Sequence, residues 1–303
     1  MRTEDFLLEL YCLIDQMLRE VVPAEGLRQR GPAPKLSDAE VITLVAAGEF
    51  MGIDTDKALY RHFRAYHARE FPALLQIDRT TLSRQAANLG KVMAHLQDRM
   101  VLRLPLEDPA GERMFWLIDS FPVRVCRLAR APGCRRFAGV AGYGYDPTAG
   151  RDRFYGFRAH VRCADSGPCA QLTLAAANVS DLSMVQTLIP PQGGLAIGDR
   201  NYWCGPDRRE PLAHAGLTLL APYRKRGEDP TPQSTAAIMR LRKTVEVVIG
   251  QLAERFHAER TWARDMWHLT GRLARKLLSH TTAVFLNLRH GNPPLQLDRL
   301  LDL

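Results

Sequence analysis

Apolar positions change their rhythm along this chain. Over the first hundred residues they recur at helical spacing. Phe6, Leu7, Leu10, Ile14, Met17 and Leu18 mark one face of a first helix. A breaker-rich connection covers residues 26–34. Ser37-Asp38-Ala39-Glu40 is then a capping-box pattern ahead of Val41, Ile42, Leu44 and Val45, and predicts a second helix. A third is expected from about residue 56 to 66. A fourth opens near Ile77 and runs to about Arg99. Residues 104–113, with two Pro and one Gly, read as a linker.

After that linker the rhythm shortens. Residues 114–118 form a short, fully apolar strand, and residues 153–161 alternate as a half-buried strand does. Residues 171–177, 194–198 and 217–221 predict three more strands. Between them Asn178-Val179-Ser180-Asp181 starts a helix, with Ser180 or Asp181 as its cap. A polar connection over 224–233 leads into a long helix from about 235 to 257, and a last helix covers about 265–288. Three consecutive strands followed by alternating helix and strand predict the α/β class: a mixed sheet flanked by helices, preceded by an all-helical region. The expected division is a helical region over 1–108, a mixed α/β region over 109–290, and a tail at 291–303.

Composition narrows the class. The chain has 303 residues, 46% hydrophobic and 24% charged, which suits a globular protein with a substantial core. No apolar run approaches the ~18 residues of a membrane span. The first residues carry no secretory pattern, and six scattered cysteines give no disulfide framework. A cytoplasmic protein with reduced thiols is the expectation. Zinc is disfavoured, because the spacing between Cys126 and Cys134 and between Cys163 and Cys169 is too wide for the usual ligand pairs.

Charge changes the picture further. The net charge is +8. Residues 1–110 hold 14 Lys and Arg against 16 Asp and Glu, and the remainder holds 27 against 17. Arginine dominates the cations, as suits phosphate oxygens, although base composition of the gene gives the same bias. Arg124, Arg127, Arg130, Arg135 and Arg136 cluster after the first strand and fit a loop that contacts DNA backbone. In the helical region Arg79, Thr80, Thr81, Ser83 and Arg84 fit the groove-facing end of a helix-turn-helix reader; the alternative is a plain helical bundle.

Three acids stand out. Asp119 follows one apolar strand and Asp199 another, at the rim of a sheet where α/β sites gather. Glu246 lies in an apolar stretch of the long helix, one turn after Arg242, and its burial would need a cation partner. Three carboxylates on two strands and a helix can hold two divalent ions ~3.5–4 Å apart. Mg²⁺ accepts such oxygen ligands, and Mn²⁺ is a second candidate.

The words around these acids are specific: Ile118-Asp119-Ser120-Phe121-Pro122-Val123, Phe154-Tyr155-Gly156-Phe157-Arg158-Ala159-His160, Gly198-Asp199-Arg200-Asn201-Tyr202 and Arg242-Lys243-Thr244-Val245-Glu246. With them the sequence resembles the DDE transposases of bacterial insertion sequences, most closely the group numbered nine-eight-two, over nearly the whole chain. The resemblance implies an RNase H-like core and Asp119, Asp199 and Glu246 as metal ligands. Arg242 matches the arginine one helical turn before the glutamate in related groups. Arg242, Lys243 and His160 are candidates for contact with DNA, the alternative for His160 being a strand-end His satisfied by backbone. The expected partner is double-stranded DNA, at terminal inverted repeats and target, with the protein associated with the nucleoid when bound; two element ends against one triad per chain call for a dimer or larger assembly. Some relatives carry Lys where Ala253 stands, with Arg255 a candidate substitute, and the second motif reads Asp199-Arg200-Asn201-Tyr202 where Asp-Lys-Gly-Tyr is commoner; neither departure touches a carboxylate. Tyr202 and Trp203 fit either base stacking or the core. Alternatives to a transposase are a nuclease of the same fold that cuts without joining, and a non-catalytic DNA binder.

Overall fold

A computed structural model describes residues 1–23, 26–27, 31–104, 115–146, 152–190, 193–225 and 229–301. The expected linker lies outside these residues apart from Leu104, as does Met114 of the first expected strand. In chain order the elements are α1 (Thr3–Val21), α2 (Asp38–Phe50), α3 (Asp56–Tyr66), α4 (Arg79–Asn88), α5 (Gly90–Val101), β1 (Phe115–Cys126), β2 (Gly142–Asp146), β3 (Asp152–Ala164), β4 (Cys169–Ala176), α6 (Val185–Leu188), β5 (Gly194–Ile197), α7 (Pro206–His214), β6 (Leu217–Leu220), α8 (Pro232–Leu241), α9 (Lys243–Gly250) and α10 (Met266–Arg289). Short 3-10 turns join several of them. The contacts divide the chain into two compact units, Met1–Leu104 with Glu254–Leu303, and Pro105–Ala253.

The first unit is all helical. α1 buries the face expected of it, with Leu13 added. The capping box of α2 is complete: Glu40 N–H donates to Ser37 Oγ at 3.1 Å and Ser37 N–H to Glu40 Oε2 at 2.6 Å. α2 is buried on every side, so it runs through the middle of its unit. Its one buried acid, Glu49, is met by Arg275 Nε and Lys276 Nζ of α10, each at 2.5 Å.

Two expectations change here. The single helix expected over 77–99 is two, α4 and α5, broken at Leu89. Gly90 then lets α5 approach α10: a Cβ at Gly90 would stand 3.0 Å from Gly271 Cα. The connection from α3 to α4 spans 67–78 and contains a 3-10 turn at Pro72–Gln76, so the tight turn of a helix-turn-helix is not found there. The last helix differs as well. The sequence division had it with the catalytic region, whereas α10 packs on α5 and α2 within the helical unit.

The second unit is built on one mixed sheet in the order β2-β3-β1-β5-β6, with β4 also pairing β3. β1 is antiparallel to β3, while β5 is parallel to both β1 and β6. Ile118, Val185, Leu188, Ala196, Tyr202 and Leu217 form a core on it. This is the RNase H-like arrangement expected, mixed sheet with helices.

β1 is much longer than the apolar run that announced it. It continues through Asp119 and Pro122 to Cys126, paired with β3 all the way. Proline lacks an N–H and is tolerated only where a strand has a free side. β5 leaves β1 after Leu117, so at Pro122 that side has no neighbouring strand in the sheet. Likewise the long helix expected over 235–257 is α8, α9 and a π-turn at 251–255, with the break at Arg242. Among the described residues no helix is long and apolar enough to cross a membrane.

Candidate active site

Asp119 and Asp199 are brought level by the parallel pairing of β1 with β5. Its last pair is Leu117 with Ile197, and each aspartate comes two residues later. Asp119 therefore lies inside β1, not at its end; what ends beside it is β5. There the chain turns away at Gly198, where a Cβ would stand 2.5 Å from the ring of Tyr202. Tyr202 is fully buried, so its expected alternative of stacking on a base is lost to the core. Trp203 packs edge-on against Tyr223, ring centroids 5.1 Å apart.

Asp199 caps the 3-10 turn that follows. Its Oδ1 accepts from Asn201 N–H at 2.8 Å and its Oδ2 from the Asn201 side-chain amide at 3.0 Å. Asp119 Oδ1 accepts from Ser120 N–H at 2.8 Å, and its Oδ2 from Arg242 Nη2 at 2.6 Å. Burial pushes the Asp119 carboxyl up to about 6, with the charge of Asp199 adding to it, against the pull of Arg242 and the Ser120 N–H. Burial also raises Asp199, opposed by the Asn201 N–H and Arg242.

α9 supplies the third acid by packing against β1. Val245 and Val248 face inward, and Glu246 faces out with its side chain half exposed. The buried setting expected for Glu246 is therefore corrected: in this helix the valines three apart take the core. Arg242 is the buried member, 6% exposed, and its Nη1 lies 3.7 Å from Glu246 Oε1. One guanidinium thus bridges two of the three acids and lowers the third electrostatically.

Among the described residues no three Asp, Glu, His or Cys side chains stand close enough to hold a metal as placed. Arg242 is the cation that sits among these acids, at 2.6 Å from Asp119 and 3.7 Å from Glu246. Hard oxygen donors gathered on a positive group are a donor set that fits Mg²⁺ or Mn²⁺.

A fourth acid, Asp181, was read from sequence only as a helix cap. It is buried, and its Oδ1 accepts from Ser120 Oγ at 2.7 Å. His160 Nδ1 lies 3.4 Å away and Arg158 Nε 4.0 Å away. Arg158 Nη1 also donates to Ser120 Oγ at 3.3 Å. The network hangs on the residue after Asp119, and β3 pairs His160 directly with Ser120. His160 itself is fully buried in mid-strand, so the expected contact with DNA is not available to it. Burial pushes its pKa down to about 4 against the pull of Asp181, which keeps it neutral at pH 7.

The expected cations fall in different places. Arg124 is in β1, ion-paired with Asp146 and 5.4 Å above the ring of Phe154. Arg127, Arg130, Arg135 and Arg136 are exposed around a 3-10 turn at Leu128–Gly133, and Lys243 is exposed at the start of α9. Arg79 and Arg84 are exposed on α4, in the helical unit. Near Asp199 a cavity of about 1130 Å³ is lined by Arg158, Asp181, Arg200, Arg208 and Arg224. The last three were not singled out from sequence; they lie in loops and on α7, where no periodicity marks them.

A family described as transposase DDE domain matches residues 111–266. No curated protein matches the chain, and no solved structure matches it. The match is to that family and does not single out the nine-eight-two group. Asp119, Asp199, Arg242 and Glu246 all fall within the matched residues, and the chain belongs to the transposase DDE-domain family.

Proposed function

We propose that the protein cuts DNA at the ends of its own insertion sequence and joins the freed 3′-hydroxyls to target DNA. Family membership implies an enzyme of DNA transposition that uses divalent metal. The single observation that carries the finer reading is the gathering of Asp119 and Glu246 on one buried guanidinium, with Asp199 beside them. Asp119, Asp199 and Glu246 would hold Mg²⁺ or Mn²⁺. When bound, a pair of such ions activates the attacking water or 3′-hydroxyl and stabilises the leaving oxygen.

The chain's own residues do the rest. Ser120 N–H and Asn201 hold the two aspartates in place by hydrogen bonds. Arg242 offsets part of the negative charge of the three acids before DNA arrives and offers a guanidinium to phosphate afterwards. Asp181 and Arg158 brace Ser120, and the cationic cavity beside Asp199 gives the phosphate backbone a path. Arg127, Arg135, Arg136 and Lys243 are assigned to backbone contacts in the same unit. The helical residues within 1–108 are assigned to DNA binding through Arg79 and Arg84. Two element ends require two sets of acids, and the chain has one, so it acts as a dimer or larger assembly.

The test is a cleavage and strand-transfer assay on a duplex carrying one element end, in Mg²⁺. Asp119→Asn is expected to lower cleavage at least about 100-fold, because it removes a ligand charge and with it several kcal/mol of metal-supplied stabilisation. Its DNA binding should persist or tighten. Near wild-type cleavage by this variant overturns the assignment. Cleavage without joining by the wild type would leave a nuclease.

A further inference from the structure

The helical unit has a groove of its own. A cavity of about 760 Å³ is lined on one side by α4 and on the other by residues 262–272, all within that unit. Two of the chain's four tryptophans line it, Trp262 at 69% and Trp267 at 48% exposure. Indoles that stability alone governed would be covered. Trp262 moreover has φ of 55°, a left-handed backbone that a bulky residue adopts only under constraint. Arg272 Nη1 donates to the carbonyl of Thr261 and so helps hold that bend.

The groove is also electropositive. Arg79, Arg84 and Arg264 are exposed on its wall and form no ion pair among the described residues. Its two acids are occupied: Asp56 pairs with Arg275 at 3.2 Å, and Asp265 caps α10 and holds His268. Free guanidinium groups beside open aromatic faces match a polymer that has anionic links and flat rings. A closed duplex presents phosphate to the arginines and leaves the indoles nothing to stack on. An unstacked strand satisfies both.

We propose that this groove is a second DNA site, which holds an unpaired strand by stacking bases on Trp262 and Trp267 and by binding phosphates with Arg79, Arg84 and Arg264. It rests on the reading that the chain works on DNA, and it adds the form of DNA that the helical unit takes. In a transposition reaction such strands arise where ends fray or are opened for cutting.

Full-length protein titrated with a labelled oligo(dT) strand and with a mixed-sequence duplex tests it. Trp262→Ala and Trp267→Ala should each weaken strand binding about 5- to 150-fold, the range for losing one base stack. Their effect on the duplex should be smaller, and Trp262→Phe should retain most of the strand affinity. Arg79→Gln combined with Arg84→Gln should lower the salt slope for the strand by about 1.4. Unchanged strand affinity in both Trp→Ala variants overturns the proposal. So does a change in self-association with strand affinity intact, which would mark a protein-binding groove. Trp-dependent strand binding by a protein that fails to cleave element ends would sink the transposition reading and leave the groove standing. Cleavage with strand binding indifferent to both tryptophans would do the reverse.

Discussion

A carboxyl buried beside another carboxyl resists ionisation, and Asp119 is the clearest case in this chain. Its native pKa of about 6 lies above the ~3.9 of an unfolded aspartate. The stability linked to this group is therefore complete below pH ~4 and is lost as pH rises through 6. Two units correspond to about 3 kcal/mol at pH 8. Asp119→Asn is a neutral isostere and escapes that loss. The variant should be the more stable protein at pH 8, by up to about 3 kcal/mol, with the gap closing towards pH 4. Urea unfolding at several pH values measures it, and a variant less stable than wild type at pH 8 would refute the burial argument. How legible was this from sequence? Asp119 and Asp199 stand out because each follows an apolar strand. Glu246 stood out for a reason the fold does not keep, since its helix buries Val245 and Val248 and leaves the acid exposed. Asp181 gave no signal, because nothing local says that a cap residue will meet Ser120, 61 residues away.

At the scale of elements, what sequence conveys is whatever depends on near neighbours. The capping box of α2 is local chemistry and is present as read. The length of β1 depends on β3 and on the early departure of β5, so the apolar run at 114–118 understates it. β2, which contains Gly142 and Gly144, has no hydrophobic signature and is made a strand by its pairing with β3. The break between α4 and α5 is similar. Gly90 faces Gly271 of α10, and a helix propensity scale sees only a poor former. That scale predicts that replacing Gly90 by a larger residue would help. Packing predicts the opposite. A Cβ at 3.0 Å from Gly271 Cα meets backbone, which cannot swing away, and the two further methyls of Gly90→Val add to the crowding. Gly90→Val should destabilise the protein by about 1–3 kcal/mol. A melting temperature equal to or above wild type would mean that the helices separate there at no cost.

At the scale of the whole molecule, linear order misleads, because the two ends of the chain build one unit. Residues 254–303 join 1–104, and the sheet unit is the insertion between them. A division made along the sequence keeps α10 with the sheet, since no local pattern reports what a helix packs on. Charge does carry a hint. α10 buries Arg275 and Lys276, which requires an acid in the same unit, and Glu49 in α2 is that acid. Arg275 has a second partner in Asp56, whereas among the described residues Lys276 bonds only to the Phe256 carbonyl and Glu49. Burial lowers the Lys276 pKa and Glu49 is the main influence opposing it, with Asp54 a weaker one, so the lysine's charge depends chiefly on Glu49. Glu49→Met should therefore leave a buried cation uncompensated and cost about 3–5 kcal/mol. If charge is the cause, removing the stranded cation should repair the loss. Glu49→Met with Lys276→Met replaces the pair by apolar side chains of similar length, and such replacements of buried ion pairs are often neutral or stabilising. The double variant should recover most of the stability in urea unfolding of the full chain. A double variant as unstable as the single one would show that Glu49 holds α2 to α10 by shape and hydrogen bonding instead of by charge.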